Sequence, residues 1–363
     1  MKPFTGSYTL DDVQFLLTPL DIPNTPIAQK ESLIQSGKQH YSQLLSHESL
    51  PSADYIDLFH RAMALNGQRL AYEILYLAQL IAKTYHGELT LVSLARAGTP
   101  IGVLLKHVLQ RYQQRQVVHY SISILRDVGV DANALRYISQ RHRPESLLFI
   151  DGWTAKGVIA LQLARSLRDF AQSDGIELTP TLAVLTDLCG AASLSASHED
   201  YLIPSSLLNA TVSGLVSRTV YNDKLSCPDA FHGCVYYQQF ADHDLSRYFI
   251  DTTLQLIDNQ WNAPTAALNL PVNTKHHYQR QASEFIALLA QRYTIGHVNY
   301  IKLGIGEATR VLLRREARLL LLRDATSPAT EHLRWLAASK AIPIEIMPDS
   351  PYQAVALIQE INL

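Results

Sequence analysis

One acid, set between a wholly apolar run and a glycine turn, constrains this chain more than any other feature. Leu147-Leu148-Phe149-Ile150 contains no polar residue, the pattern of a strand buried on both faces. Asp151 follows at the carboxyl end of that strand, then Gly152-Trp153-Thr154-Ala155-Lys156-Gly157. From Val158 onward, Ile159, Leu161, Leu163, Ala164, Leu167 and Phe170 recur at helical spacing. The amides of such a turn and the helix N-terminus attract an anion, while Asp151 can accept hydrogen bonds from sugar hydroxyls. A plain strand-to-helix junction, with Asp151 as a helix cap, accounts for the same residues.

The flanking segments repeat the theme. Leu89 to Ala95 reads as a short strand ending in Arg96-Ala97-Gly98-Thr99-Pro100, with a helix from Ile101. That turn could hold a second anion through Arg96 and backbone amides, or be a structural turn with a solvated arginine. Val117 to Leu125 alternates like a strand and leads to the charged loop Arg126 to Asp131; Thr181 to Asp187 is a further apolar strand. Strands alternating with helices predict a parallel sheet with right-handed crossovers and ligands at the carboxyl ends of its strands. Before the sheet, Ala53 to Tyr85 is helical in pattern, with Gly67 placed to break it in two.

At 363 residues the chain exceeds a typical single core, and the prolines and small residues after Trp261 mark a boundary. The predicted division is 1–262, a linker at 263–274, and 275–363. The later part reads as a compact αβα unit: a helix from Gln279, a strand at Val298 to Leu303, a turn at Gly304 to Glu307 and a basic helix from Ala308. The strand Arg318 to Leu322, the helix Thr330 to Ser339, the strand Pro343 to Ile346 and a last helix from Pro351 complete it. A net charge of -2 leaves no global field to draw nucleic acid or membrane, so any such affinity must be local. There is no signal-peptide core and no bilayer-length apolar run, and three cysteines are too few and too odd for a disulfide framework; a cytoplasmic protein is expected.

With these residues in view, the first 260 or so positions resemble the phosphoribosyltransferase-like proteins of tellurite-resistance and Ter-type stress loci, a group also labelled StiP-type cysteine proteases. The resemblance rests on Ile34-Gln35-Ser36-Gly37 with His40-Tyr41-Ser42, on Ala95 to Pro100, on Asp151 to Gly157, and on Asp200 to Asn209 followed by Thr211 to Thr219. It implies a type I phosphoribosyltransferase-like parallel sheet under an N-terminal helical hood. Asp151 would then bind ribose hydroxyls and Thr154, Lys156 and Gly157 would cradle a phosphate, with Gly152, Trp153 and Ala155 of the same loop also facing the substrate. Arg96, Gly98 and Thr99, with Ala97 between them, would form a pyrophosphate loop, and Arg126 and Asp127 a closing loop. Apart from the resemblance, the hydroxyls crowded around Arg218, Ser213 among them, read as a second substrate-facing surface or as a solvated loop with a capping serine. The implied ligand is phosphoribosyl pyrophosphate with Mg2+. Two departures stand out: Gly152 occupies the place of a second acid, and Lys156 interrupts the Thr/Gly order.

The C-terminal unit resembles the Pelota/L7Ae RNA-binding domain, on Gly304-Ile305-Gly306-Glu307-Ala308-Thr309-Arg310 and the strands that follow. The residues themselves agree with an RNA contact. Arg310 and Arg314 are four apart and share a helix face, suited to phosphates, above a helix N-terminus at Glu307. A solvated basic helix paired through Glu316 is the plainer alternative.

The function this sequence points to is a phosphoribosyltransferase coupled to RNA binding in a stress response. A non-catalytic nucleotide- or RNA-binding stress protein is the alternative. A homodimer is a possible assembly. A peptidase needs a thiolate and a base; Cys189 with His198 and Asp200 is the local set, and as a packing cysteine at a strand end Cys189 lends the peptidase little support. Cys227, His232 and Cys234 have soft-metal spacing but no clear fourth ligand. Trp153 could stack on a base or cap the core.

Overall fold

The structure, a computed structural model, describes residues 3–22, 25, 26, 29, 33, 36, 48–125, 128–221, 229–261 and 274–359, the side chains of Arg218 and Thr274 excepted. The hood signature other than Ser36, together with Arg126, Asp127, Cys227 and nearly all of the expected linker, lies outside the described residues.

Strands β1 (Gln14–Leu16) and β2 (Thr18–Pro19) precede a long helix, α1 (Ala53–Thr84). Ser52 caps α1, its hydroxyl accepting from the Tyr55 amide at 3.3 Å. The break expected at Gly67 is absent. A Cβ there would come within 2.9 Å of Leu256 Cδ1, so this glycine admits a neighbouring helix rather than ending its own. Next come β3 (Leu89–Leu94), α2 (Gly98–Gln113), β4 (Val117–Ile122), the small hairpin of β5 (Ile124–Leu125) and β6 (Gly129–Val130), and α3 (Ala132–Ser139). Then follow β7 (Leu147–Thr154), α4 (Val158–Asp174), β8 (Leu182–Asp187) and β9 (Leu194–Ser197).

Six of these strands form one sheet in the order β1-β4-β3-β7-β8-β9, with every pairing parallel. The central strands β3 and β8 are buried at every position, because helices cover both faces. The expected α/β class and parallel sheet are therefore observed. One face packs on α1 and α2 through Leu70, Ile74, Leu104 and Leu148; the other packs on α3 and α4 through Leu135, Leu163 and Phe149. Strands β10 (Val216–Val220) and β11 (Gly233–Tyr236) join β2 in a small sheet beside it, and α5 (Ser246–Gln260) lies against α1.

The last part of the chain runs α6 (Thr274–Arg292), β12 (Ile301–Leu303), α7 (Ile305–Arg314), β13 (Ala317–Leu322), α8 (Glu331–Ser339), β14 (Ile344–Ile346) and β15 (Ala354–Ile358). Its four strands are ordered β12-β15-β13-β14. The helix expected from Pro351 is instead the buried strand β15, antiparallel to β12 on one side and β13 on the other. No helix among the described residues is long and apolar enough to cross a membrane.

Candidate functional site

The carboxyl edge of the large sheet and the C-terminal unit face each other, and the residues singled out from the sequence meet there. The acid–glycine turn is shorter than expected. β7 continues through Thr154, pairing Trp153 with Thr186 and Thr154 with Asp187 of β8. Asp151, Gly152, Trp153 and Thr154 thus belong to a strand, and only Ala155, Lys156 and Gly157 turn, with Gly157 at φ +71°. Asp151 accepts a hydrogen bond from the Gly152 amide at 2.8 Å. Burial pushes its carboxyl up to about 6, against the opposing pull of Arg310.

The arginine turn packs directly on this strand. A Cβ on Gly98 would lie 2.2 Å from the Ile150 carbonyl oxygen, so only glycine allows the approach. Thr99 turns inward, its hydroxyl 2.8 Å from that of Ser121, and does not face the edge. Arg96 reaches sideways to Asn209 Oδ1 at 2.5 Å. Ala97 backs onto Gly152, with its carbonyl oxygen 3.4 Å from where a Cβ would stand. Ser213 is buried and donates to the carbonyls of Asn209 and Val216 rather than to an open surface. The space remaining among Arg96, Trp153, Ser206, Asn209, Ser213 and Arg310 is about 20 Å³, room for a water and not for a sugar phosphate.

The C-terminal unit fills the rest. Arg310 stacks over the Trp153 ring at 4.4 Å and pairs with Glu307 at 2.7 Å. A Cβ on Gly306 would strike the Trp153 ring at 2.5 Å. Arg314 bonds to Asn209 Oδ1, the same atom Arg96 holds. Lys156, expected in a phosphate cradle, donates to the carbonyls of Val298 and Ile301 at 2.8 and 2.9 Å. Asp200 accepts from the amides of Ile305 at 2.9 Å and Gln353 at 2.8 Å, and so grips the turn at Gly304 by its backbone. The basic face expected to meet RNA is therefore turned toward the large sheet, with the Trp153 indole under Arg310 and the Asn209 carboxamide on Arg314.

Cys189 lies in the turn after β8. Asp187, which the sequence marks only as the end of an apolar strand, organises that turn by accepting from the amides of Cys189, Ala191 and Ala192 at 3.2, 3.0 and 2.9 Å. The Cys189 sulfur is 3.7 Å from both Asp187 Oδ1 and Thr154 Oγ1. Burial, and next the Asp187 carboxylate, push the thiol up to about 12. Asp200, expected to join Cys189, is engaged by the C-terminal unit instead. His198 donates from Nδ1 to the Asp187 carbonyl at 2.6 Å, which leaves Nε2 as the lone-pair nitrogen of the neutral ring. That ring stacks on Tyr278 of α6 at 4.3 Å. Cys189 is packed with Phe285 and Tyr352, and the Tyr352 hydroxyl donates to the Leu188 carbonyl at 3.4 Å.

Of the soft-metal set, only His232 and Cys234 fall among the described residues. Cys234 is fully buried in β11, while His232 holds Ser123 at 2.9 Å through Nδ1. No group of three or more His, Cys, Asp or Glu suited to a metal occurs among the described residues.

Comparison with known proteins bears on this geometry. The sequence profile of the family described as tellurite-like stress resistance cysteine protease StiP matches residues 6–254. That of the PELOTA RNA binding domain matches residues 280–360. A relative named cysteine protease StiP, from Acinetobacter baylyi (strain ATCC 33305 / BD413 / ADP1), is 41% identical over 372 aligned positions, covering 99% of this chain and 95% of the relative. Among solved structures, the hypoxanthine phosphoribosyltransferase of Trypanosoma cruzi aligns with a TM-score of 0.29 at 15% identity, over 47% of this chain and 93% of that one. A likeness that faint says nothing about chemistry. The expectation of a phosphoribosyltransferase, with no support for a peptidase, is thereby corrected: the matching family and the 41%-identical relative both carry the name cysteine protease.

Proposed function

Since the chain belongs to the family of tellurite-like stress resistance cysteine proteases, we propose that it is a thiol hydrolase of the stress response, with Cys189 as its nucleophile and a C-terminal unit that binds RNA. The observation that carries the choice of residue is position. Of the two cysteines described, both buried, Cys234 lies within β11, whereas Cys189 sits at the carboxyl edge of the sheet, on one turn with Asp187, whose carbonyl His198 holds. In the reaction, the thiol proton passes to His198 Nε2 and the sulfur attacks a peptide carbonyl carbon. The C–N bond then breaks as the amine takes that proton, and water releases the acyl group. The closed arrangement is a resting one: the thiol, buried in one cluster with Phe285 and Tyr352, stays protonated until the C-terminal unit lifts.

Labelled casein and the protein's own chain serve as substrates for the test. Cys189→Ser is expected to abolish cleavage and Cys234→Ser to retain it; cleavage that survives Cys189→Ser sinks the assignment. A second reading, a nucleic-acid-binding stress protein without turnover, is favoured by one observation. No histidine among the described residues is bonded to the Cys189 sulfur.

A further inference from the structure

A larger cavity, of about 310 Å³, opens where the head of α1, the segment around Asn209 and the pair α7–α8 converge. Its walls differ from those of the collapsed space beside Trp153. Tyr55 and Trp335 form an aromatic corner, ring centroids 5.7 Å apart and inclined at 39°. Trp335 is 38% exposed, and Tyr55 only 5%. The Tyr55 hydroxyl is buried and has no hydrogen-bond partner among the described residues, a costly state for a phenol unless something else supplies the bond.

The polar groups are sorted. Glu48 on the rim is already held, accepting from the Ala210 amide at 2.7 Å and from the Ser217 hydroxyl, so its charge is directed into the protein. Arg314, held at one nitrogen by Asn209, brings its guanidinium charge to the wall. The N-terminus of the 32-residue helix α1, capped by Ser52, opens on the same space and adds a partial positive charge. A flat apolar surface, a buried donor and a cationic end together select a planar heteroaromatic group that carries an anion. The volume sits at the lower limit for a drug-sized ligand.

We propose that this cavity binds one nucleotide, its base stacked on Trp335 and bonded to Tyr55, its phosphate at Arg314 and the head of α1. Such a nucleotide can arrive free or as a base splayed out of single-stranded RNA, since stacking on an indole serves either. The assignment stands apart from that of Cys189 and survives its failure.

The test is tryptophan-fluorescence titration and calorimetry on the full chain with AMP, adenosine, inorganic phosphate and hexaadenylate. Saturable one-to-one binding of AMP or of hexaadenylate is expected, with adenosine and phosphate each weaker by about tenfold or more. AMP alone points to a free mononucleotide, and hexaadenylate alone to a splayed RNA base. Trp335→Ala and Arg314→Gln should each weaken binding by about tenfold, within the range of one lost stacking or charged contact. Tyr55→Phe should lower affinity severalfold with no fall in Tm, because its hydroxyl has no bond to lose among the described residues. Absence of saturable binding by both AMP and hexaadenylate at millimolar concentration overturns the proposal. So does unchanged affinity in a folded Trp335→Ala protein.

Discussion

Asp151 and Asp200 are two carboxyls that burial pushes up to about 6, and they differ in what offsets that burial. Asp200 has backbone amides from the opposite unit on both oxygens, so its cost is compensated by contacts that hold the molecule closed. Asp151 has one local amide and the nearby field of Arg310. An acid whose folded value lies above its unfolded one keeps its proton in the native state after the unfolded chain has lost it. Stability is then greatest at low pH and falls as pH rises from about 4 through about 6. Asp151→Asn should therefore be more stable than the parent at pH 7.5, by about 1–3 kcal/mol, and the gap should close toward pH 4.5. Urea melts at the two pH values measure this, and a gap independent of pH would show that Asp151 is not the group involved. Asp151 was legible in the sequence as an unusual residue, because an acid after four apolar residues is conspicuous. The roles of Asp200 and Asp187 were not: each consists of accepting backbone amides, and for Asp200 those amides lie more than a hundred residues away.

At the scale of elements, the decisive contact is α7 against the end of β7. The apolar core of β7 could be read directly, but its continuation through Trp153 and Thr154 depends on β8 pairing alongside and on Arg310 and Gly306 covering the indole. The same limit explains β15, where Ala354-Val355-Ala356-Leu357-Ile358 suits a buried helix or a central strand equally and the two flanking strands decide. Gly306→Val puts a branched side chain where even a Cβ meets the Trp153 ring at 2.5 Å. Overpacking there should cost about 1–3 kcal/mol and part α7 from β7. The chain has three tryptophans, so with Trp261 and Trp335 replaced by Phe the emission reports Trp153 alone. A red shift is expected in Gly306→Val; emission identical to that of the parent would mean that α7 absorbs the side chain without parting from the sheet.

The whole molecule closes two surfaces with one contact. The Gly304-to-Arg314 face lies on the large sheet, and the same docking gathers Phe285 and Tyr352 into one buried cluster with Cys189. RNA that draws both Arg310 and Arg314 away for its phosphates must take them from Trp153 and Asn209, so that mode of RNA binding, unlike occupancy of the cavity beside Trp335, and closure are mutually exclusive states of a single equilibrium. Whatever binds only the open state shifts the population toward it in proportion to its differential affinity. Iodoacetamide labelling of Cys189 reads that population, because a thiol pushed up to about 12, first by burial and next by the Asp187 carboxylate, reacts slowly while closed and gains access and thiolate fraction once the burial is relieved. A randomised-sequence RNA pool in excess should accelerate labelling by about tenfold or more, and the acceleration should fade with added salt as phosphate contacts weaken. In Arg310→Glu combined with Arg314→Glu, the cation–π contact and the bond to Asn209 are gone, so labelling should already be fast without RNA and indifferent to it. RNA that binds the parent protein but leaves its labelling rate unchanged would place the RNA surface elsewhere on the C-terminal unit and would separate nucleic-acid recognition from access to the thiol.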